Sequence, residues 1–154
     1  MKKHVLFICT GNLCRSPLAE GILKHKLTNK KADGIAVSSA GTFAVGGRPA
    51  PPDVVEVAAR HGVDISRHRT RHITREMLAG AHIVLCMERD HLVEAGVVRA
   101  DTTGKYRLLS EFGPPVTRGE EIEDPYGAPW DFLLSIYEQI DECVEGLLDE
   151  LLRA

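Results

Sequence analysis

The segment Cys9-Thr10-Gly11-Asn12-Leu13-Cys14-Arg15-Ser16 holds the residues whose types and spacing could do chemistry. A cysteine is followed, after five residues, by an arginine and a serine. The apolar run before it, Val5-Leu6-Phe7-Ile8, predicts a strand buried on both faces, and Ser16-Pro17 reads as the N-cap and first position of a helix. A tight loop in that setting turns successive backbone N–H groups toward a concavity that favours negative oxygens. The helix behind it adds its positive end. Arg15 offers a planar fork matched to two phosphate oxygens. The same fields favour thiolate over thiol at Cys9, and a thiolate is a competent nucleophile for phosphorus. Cys9 is therefore the predicted nucleophile, and Thr10, Gly11, Asn12, Leu13, Cys14, Arg15 and Ser16 form the predicted phosphate cradle. The plain alternative is a buried cysteine that ends a strand, with a salt-bridged arginine nearby.

Attack by Cys9 creates a leaving oxygen that needs a proton. Asp124-Pro125 stands in a long loop after the last predicted strand, and the proline favours an extended Asp124. Glu120, Glu121 and Glu123 are rivals by proximity; Asp124 is preferred for its Pro-Tyr sequel. Tyr126 reads either as a wall for a flat substrate ring or as a core tyrosine. Asn12 suits a left-handed loop position. The Ser16 hydroxyl can cap its helix and donate to the Cys9 sulfur. Cys86 and Cys143 sit in apolar patterns and read as core.

The elements that must position these groups alternate. Further strands are predicted over Ile35–Ser38, Ala81–Met87 and Tyr106–Leu109. Helices are predicted after Ser16, over Asp53–His61 with a C-terminal Gly62, over Thr74–Ala79 with Thr74 as cap, over Glu88–Ala95, and over Asp131–Leu152. Gly- and Pro-rich stretches at 40–52 and 112–129 read as loops. Strand and helix in alternation predict an α/β three-layer sandwich with a parallel sheet covered by helices on both faces. Ligands in such folds bind beyond the carboxyl ends of the strands, where Cys9-Thr10, Ser39-Ala40 and Met87-Glu88 fall.

The 154 residues fit one domain, read as 1–154, with 44% hydrophobic and 27% charged residues and a net charge of −3. That balance argues against nucleic acid as a partner, and no apolar run has the roughly 20 residues of a membrane helix. The stretch Val5 to Ile8 is too short for a signal peptide, and four cysteines are too few for a disulfide scaffold, so a cytoplasmic location is expected. The basic run Arg67-His68-Arg69-Thr70-Arg71-His72 is expected to be a solvated turn whose arginines pair with carboxylates, and the seven histidines to be mostly at the surface. No set of Cys, His and carboxylates has convincing metal spacing, so neither metal nor cofactor is expected.

The cradle, together with Ser38-Ser39-Ala40-Gly41-Thr42, His61-Gly62-Val63-Asp64-Ile65-Ser66, His68-Arg69-Thr70-Arg71, Leu85-Cys86-Met87 and Asp124-Pro125-Tyr126, resembles the low-molecular-weight protein tyrosine phosphatases over essentially the whole length. The resemblance implies a four-stranded parallel sheet, no metal, a phosphorylated protein as substrate, and a monomer or weak homodimer. It implies that Ser39 supports the loop through Asn12, and that Cys14 can trap an oxidised Cys9 as a disulfide; the plain reading of Cys14 is a small apolar filler. A branch of this family hydrolyses phosphoarginine, and Ser39 to Ala44, His68 to Arg71 and Asp124-Pro125-Tyr126-Gly127 look rather like it. That branch tends to carry a threonine where this chain has Leu13. A leucine packs on a ring, so phosphotyrosine is the preferred substrate, phosphoarginine the alternative, and arsenate reduction a distant third for want of a cysteine relay.

Overall fold

The apolar run at the N-terminus becomes the centre of the sheet. The computed structural model describes residues 2–96 and 104–153. In chain order it contains β1 (Lys3–Cys9), α1 (Arg15–Asn29), β2 (Ile35–Gly41), α2 (Pro52–Arg60), α3 (Arg75–Gly80), β3 (Ile83–Cys86), α4 (Arg89–Glu94), β4 (Tyr106–Leu108), a 3-10 turn at Leu109–Phe112, and α5 (Trp130–Arg153). The strand order is β2-β1-β3-β4 and every pairing is parallel.

Alternate side chains of β1 serve two cores. Val5, Phe7 and Cys9 join the larger one, built with α1, α2 and α5, while Leu6 and Ile8 join a smaller one covered by Met77 and Leu78 of α3 and Leu92 of α4. The expected three-layer architecture is therefore present. Its register sets the carboxyl ends level: Cys9 pairs with Gly41, and Ile8 with Cys86. The polypeptide leaving β2 is tied to the loop after β1, with Thr42 N donating to Cys9 O (3.0 Å) and Phe43 N to Thr10 O (2.9 Å).

Thr74 caps α3 by accepting from Met77 N, and Gly62 follows α2 at φ +80°. Three expectations need correction. First, α1 begins at Arg15 with Cys14 as its N-cap and no side-chain cap, rather than with Ser16 as N-cap. Pro17 is accommodated at the third helical position because its absent N–H would have had no intrahelical partner there. Second, β3 spans Ile83–Cys86 rather than 81–87, and Glu88 lies before α4 as its N-cap. Third, α5 spans Trp130–Arg153 rather than 131–152, and it buries Tyr137. Its ring stacks on His61 at 4.1 Å, and burial pushes its hydroxyl up to about 12. No helix among the described residues is long and apolar enough to cross a membrane.

Candidate active site

The loop between β1 and α1 is held from behind by a fully committed asparagine. Asn12 is buried at φ +57°, the left-handed region that asparagine tolerates. Its Oδ1 accepts from Arg71 N (2.8 Å), which fixes the orientation of the amide. Both protons of Nδ2 are then directed inward, to Ser16 Oγ (2.8 Å) and Ser39 Oγ (3.0 Å). The Ser39 hydroxyl in turn donates to Glu20 Oε1 (2.5 Å). The Asn12 carbonyl accepts from His68 Nε2 (2.7 Å), so the His68 ring carries its proton on Nε2; burial holds His68 below the ordinary histidine value. Ser16 Oγ lies 2.9 Å from Cys9 Sγ. Cys14 is buried in the same loop. Burial, with the Asp124 charge adding to it, raises its thiol far above an ordinary cysteine.

Arg15 is 1% exposed and is gripped along one edge. Nη1 donates to Glu88 Oε2 and to Ile122 O (2.7 Å). Nη2 lies 3.4 Å from Thr10 Oγ1 and 3.8 Å from Asp124 Oδ2. Nε is buried and has no partner among the described residues. A buried donor without a partner costs free energy unless a ligand satisfies it. His91 completes this side. Its Nδ1 accepts from Glu88 N (3.1 Å), leaving Nε2–H to donate to Thr10 Oγ1 (2.8 Å). Burial first, and the Arg15 charge second, hold His91 below the ordinary value and so in this neutral form.

Cys9, Thr10, Gly11, Leu13, Cys14, Arg15, Asp124 and Tyr126 line one cavity of about 180 Å³ at the carboxyl edge of the sheet. The predicted cradle residues Asn12 and Ser16 lie behind it. Of the four candidate acids, Asp124 alone lines this cavity; Glu120, Glu121 and Glu123 line a separate hollow beside α5. Asp124 is half exposed, and its Oδ1 accepts from Tyr126 N (3.1 Å). Tyr126 is 61% exposed, which removes its reading as a core residue.

Sequence reasoning missed Glu88, His91, His68 and Arg71 as partners of the loop. The histidines were expected at the surface, yet His91 is 1% exposed. The basic run is not a set of carboxylate-paired arginines: among the described residues, Arg67, Arg69 and Arg71 form no ion pair. Arg71 instead donates through Nε and Nη2 to Ser39 O (3.2 and 3.1 Å). The position of Glu88 at a strand end was the one available signal. Among the described residues no group of three His, Cys, Asp or Glu is placed to hold a metal ion.

A parallel sheet with a thiol and a buried arginine converging beyond its carboxyl edge defines a class of anion-handling α/β enzyme. Comparison with known proteins specifies the class. The family model described as low molecular weight phosphotyrosine protein phosphatase matches residues 4–154. The chain belongs to that family and is a hydrolase of the low-molecular-weight protein-tyrosine-phosphatase type. It is 31% identical to the low molecular weight protein-tyrosine-phosphatase Etp of Escherichia coli K12, with 97% of this chain and 95% of that protein covered. A low molecular weight protein tyrosine phosphatase from T. tengcongensis superposes with a TM-score of 0.86 at 35% identity, covering 97% of this chain and 99% of that one. The YwlE arginine phosphatase of Geobacillus stearothermophilus superposes with a TM-score of 0.84 at 30% identity, covering 98% and 94%.

Proposed function

We propose that the chain hydrolyses phosphotyrosine on proteins in two steps through a cysteinyl-phosphate. Cys9 Sγ attacks phosphorus, the P–O bond to the tyrosine breaks, and the Asp124 carboxyl gives its proton to the leaving oxygen. Asp124, now a carboxylate, takes a proton from water as that water attacks the S–P bond. This releases inorganic phosphate and restores the thiolate. Arg15 and the amides of the 10–15 loop hold the three equatorial oxygens, over which the charge of the transferring phosphoryl group is spread. The observation that carries this reading is Arg15: held at Nη1 by Glu88 and the Ile122 carbonyl, with Nε buried and unpartnered among the described residues, it lines the same cavity as Cys9.

Leu13 and Tyr126 on the cavity wall favour a flat aromatic substrate. Tyr126 has no second aromatic beside it, because Gly127 follows at φ +73°. The likeness to the YwlE arginine phosphatase keeps phosphoarginine as the second reading. Arsenate reduction ranks below both. Cys86 and Cys143 are 0% exposed, and burial raises their thiols to about 12 and about 11, so neither makes an outward relay. The same reading takes residues 1–154 as one domain, Cys14 as a resolving thiol, the active unit as a monomer or weak homodimer, and a reducing cytoplasm as the compartment that preserves Cys9. Phosphotyrosine and phosphoarginine peptides assayed side by side test it. Cleavage of the tyrosine peptide is expected to dominate, and Cys9→Ser to abolish turnover of both. Preference for phosphoarginine overturns the substrate, and near wild-type turnover by Cys9→Ser overturns the mechanism.

A further inference from the structure

A groove of about 420 Å³, unused by the proposed chemistry, lies behind the nucleophile loop, between α1, the outer edge of β2 and the segment 64–71. Its cations are Lys24, Arg67, Arg69 and Arg71, with His68 in its wall; its carboxylates are Glu20 and Asp64. Both carboxylates are already engaged. Glu20 is held by Lys24 and Ser39 at 2.5 Å each, and Asp64 accepts from Ser66 N (2.9 Å). Among the described residues Arg67 makes no hydrogen bond, although its charge acts on Asp64, and Arg69 donates only through Nη1, to His68 O (2.7 Å). Guanidinium groups that line one concavity and face no carboxylate partner within ion-pair distance suit an oxyanion, since their forks match its geometry and like charges repel until one is bound.

We propose that this groove is a second phosphate site, distinct from the catalytic cavity, for a phosphate dianion that is either free or carried on a phosphoserine of a protein. Arg67 and Arg69 supply its charge. The groove shares no lining residue with the catalytic cavity, yet two of its walls hold the nucleophile loop: His68 through Asn12 O, and Arg71 through Ser39 O and, by its own amide, Asn12 Oδ1. A dianion here competes with the Ser39 carbonyl for the Arg71 guanidinium. Its binding thus loosens a support of Asn12 and lowers turnover without displacing substrate.

The test follows backbone amide resonances of the wild-type protein titrated with inorganic phosphate and, separately, with a phosphoserine peptide, against sodium chloride at equal ionic strength. Gly21, Val37 and Ile65 report the groove; Gly11 and Leu13 report the catalytic loop. Two independent isotherms are expected. Arg67→Ala/Arg69→Ala weakens the groove isotherm by about tenfold or more and leaves the loop isotherm in place. In kinetics, phosphate adds to its competitive effect a fall in kcat of about fivefold, at the low end of site-to-site coupling, and the double variant loses it. The two single variants, at unchanged kcat/KM without phosphate, guard against misfolding. Response to phosphate assigns the free anion, and response to the peptide alone assigns the phosphoprotein. Groove amides that follow the loop isotherm, or that respond equally to chloride, overturn the proposal. Binding is read apart from turnover, so this outcome leaves the catalytic reading intact, and failure of the catalytic reading leaves this one standing.

Discussion

The Oγ of Ser16 lies 2.9 Å from the Sγ of Cys9, and Asn12 decides where the serine proton points. The Asn12 amide is oriented by Arg71 N and donates into the Ser16 oxygen, so the hydroxyl proton remains for the sulfur. That proton stabilises negative charge on Cys9 both before attack and when the S–P bond breaks. Ser16→Ala is expected to lower kcat by about 10–100-fold with little loss of stability. Asn12→Ala is expected to destabilise the protein as well, by about 1–3 kcal/mol, because it leaves Arg71 N unpaired and puts an alanine at positive φ. Steady-state kinetics and urea midpoints on both variants separate the two roles; equal stability loss in both would mean that Ser16 is merely structural.

Peroxide converts the Cys9 thiolate to a sulfenic acid, which the Cys14 thiolate attacks, forming the disulfide and releasing the oxygen as water. Burial holds Cys14 far above an ordinary thiol, so little thiolate is present near neutrality. Disulfide formation should therefore accelerate about tenfold per pH unit between pH 7 and 9. Cys14→Ser should show less activity recovered by thiol after peroxide, because the sulfenic acid proceeds to sulfinic acid. Equal recovery with and without Cys14 leaves it a packing residue.

His68 and His91 both titrate below the ordinary histidine value, chiefly because burial disfavours their charged forms. In the unfolded chain each binds a proton near pH 6.5, so the unfolded state holds more protons and stability rises with pH. The contribution is fully present above the unfolded value and is lost as pH falls through the folded values. Urea midpoints should decline from about pH 7.5 to about pH 5.5, before carboxylate protonation dominates. His91→Gln should start from a lower midpoint and decline less. An unchanged slope in His91→Gln would place the linkage elsewhere.

What could be read from the sequence was whatever lay within one contiguous stretch. The 9–16 segment announces itself because thiol, arginine and helix start follow one another, and β1 because both its faces are apolar. The supports were hidden by distance along the chain. Arg15 meets Glu88 across 73 residues, Thr10 meets His91 across 81, and Asn12 meets Arg71 across 59. Charge alone suggested that Arg71 would pair with a carboxylate, whereas the parallel bridge of His72 to Gly41 at the end of β2 brings the carbonyl of Ser39 to it. The same applies to Ser16, whose type and place suit an N-cap, but whose hydroxyl is taken by Cys9 and Asn12.

Asp124 offers the sharpest test, because a general acid matters in proportion to how poorly the leaving group holds negative charge. Tyrosine leaves as a phenoxide whose conjugate acid has a pKa near 10, so losing the acid should slow phosphotyrosine cleavage by about 10²–10⁴-fold. An aryl phosphate with a much more acidic phenol leaves adequately without a proton. Asp124→Asn keeps the size of the side chain and an oxygen for the Tyr126 amide, so the loop should hold its shape while the proton is lost. It is expected to impair phosphotyrosine far more than the activated ester, and to remove the acidic-group limb of the pH–rate profile. Glu120→Gln, Glu121→Gln and Glu123→Gln should change neither substrate much, since those carboxylates line a different hollow. Single-turnover phosphorylation of Cys9 isolates the first step. Equal slowing of both substrates there would make Asp124 a positioning residue of the loop. Leaving-group dependence in one of the glutamate variants would move the acid to that residue and leave the Cys9 and Arg15 chemistry as it stands.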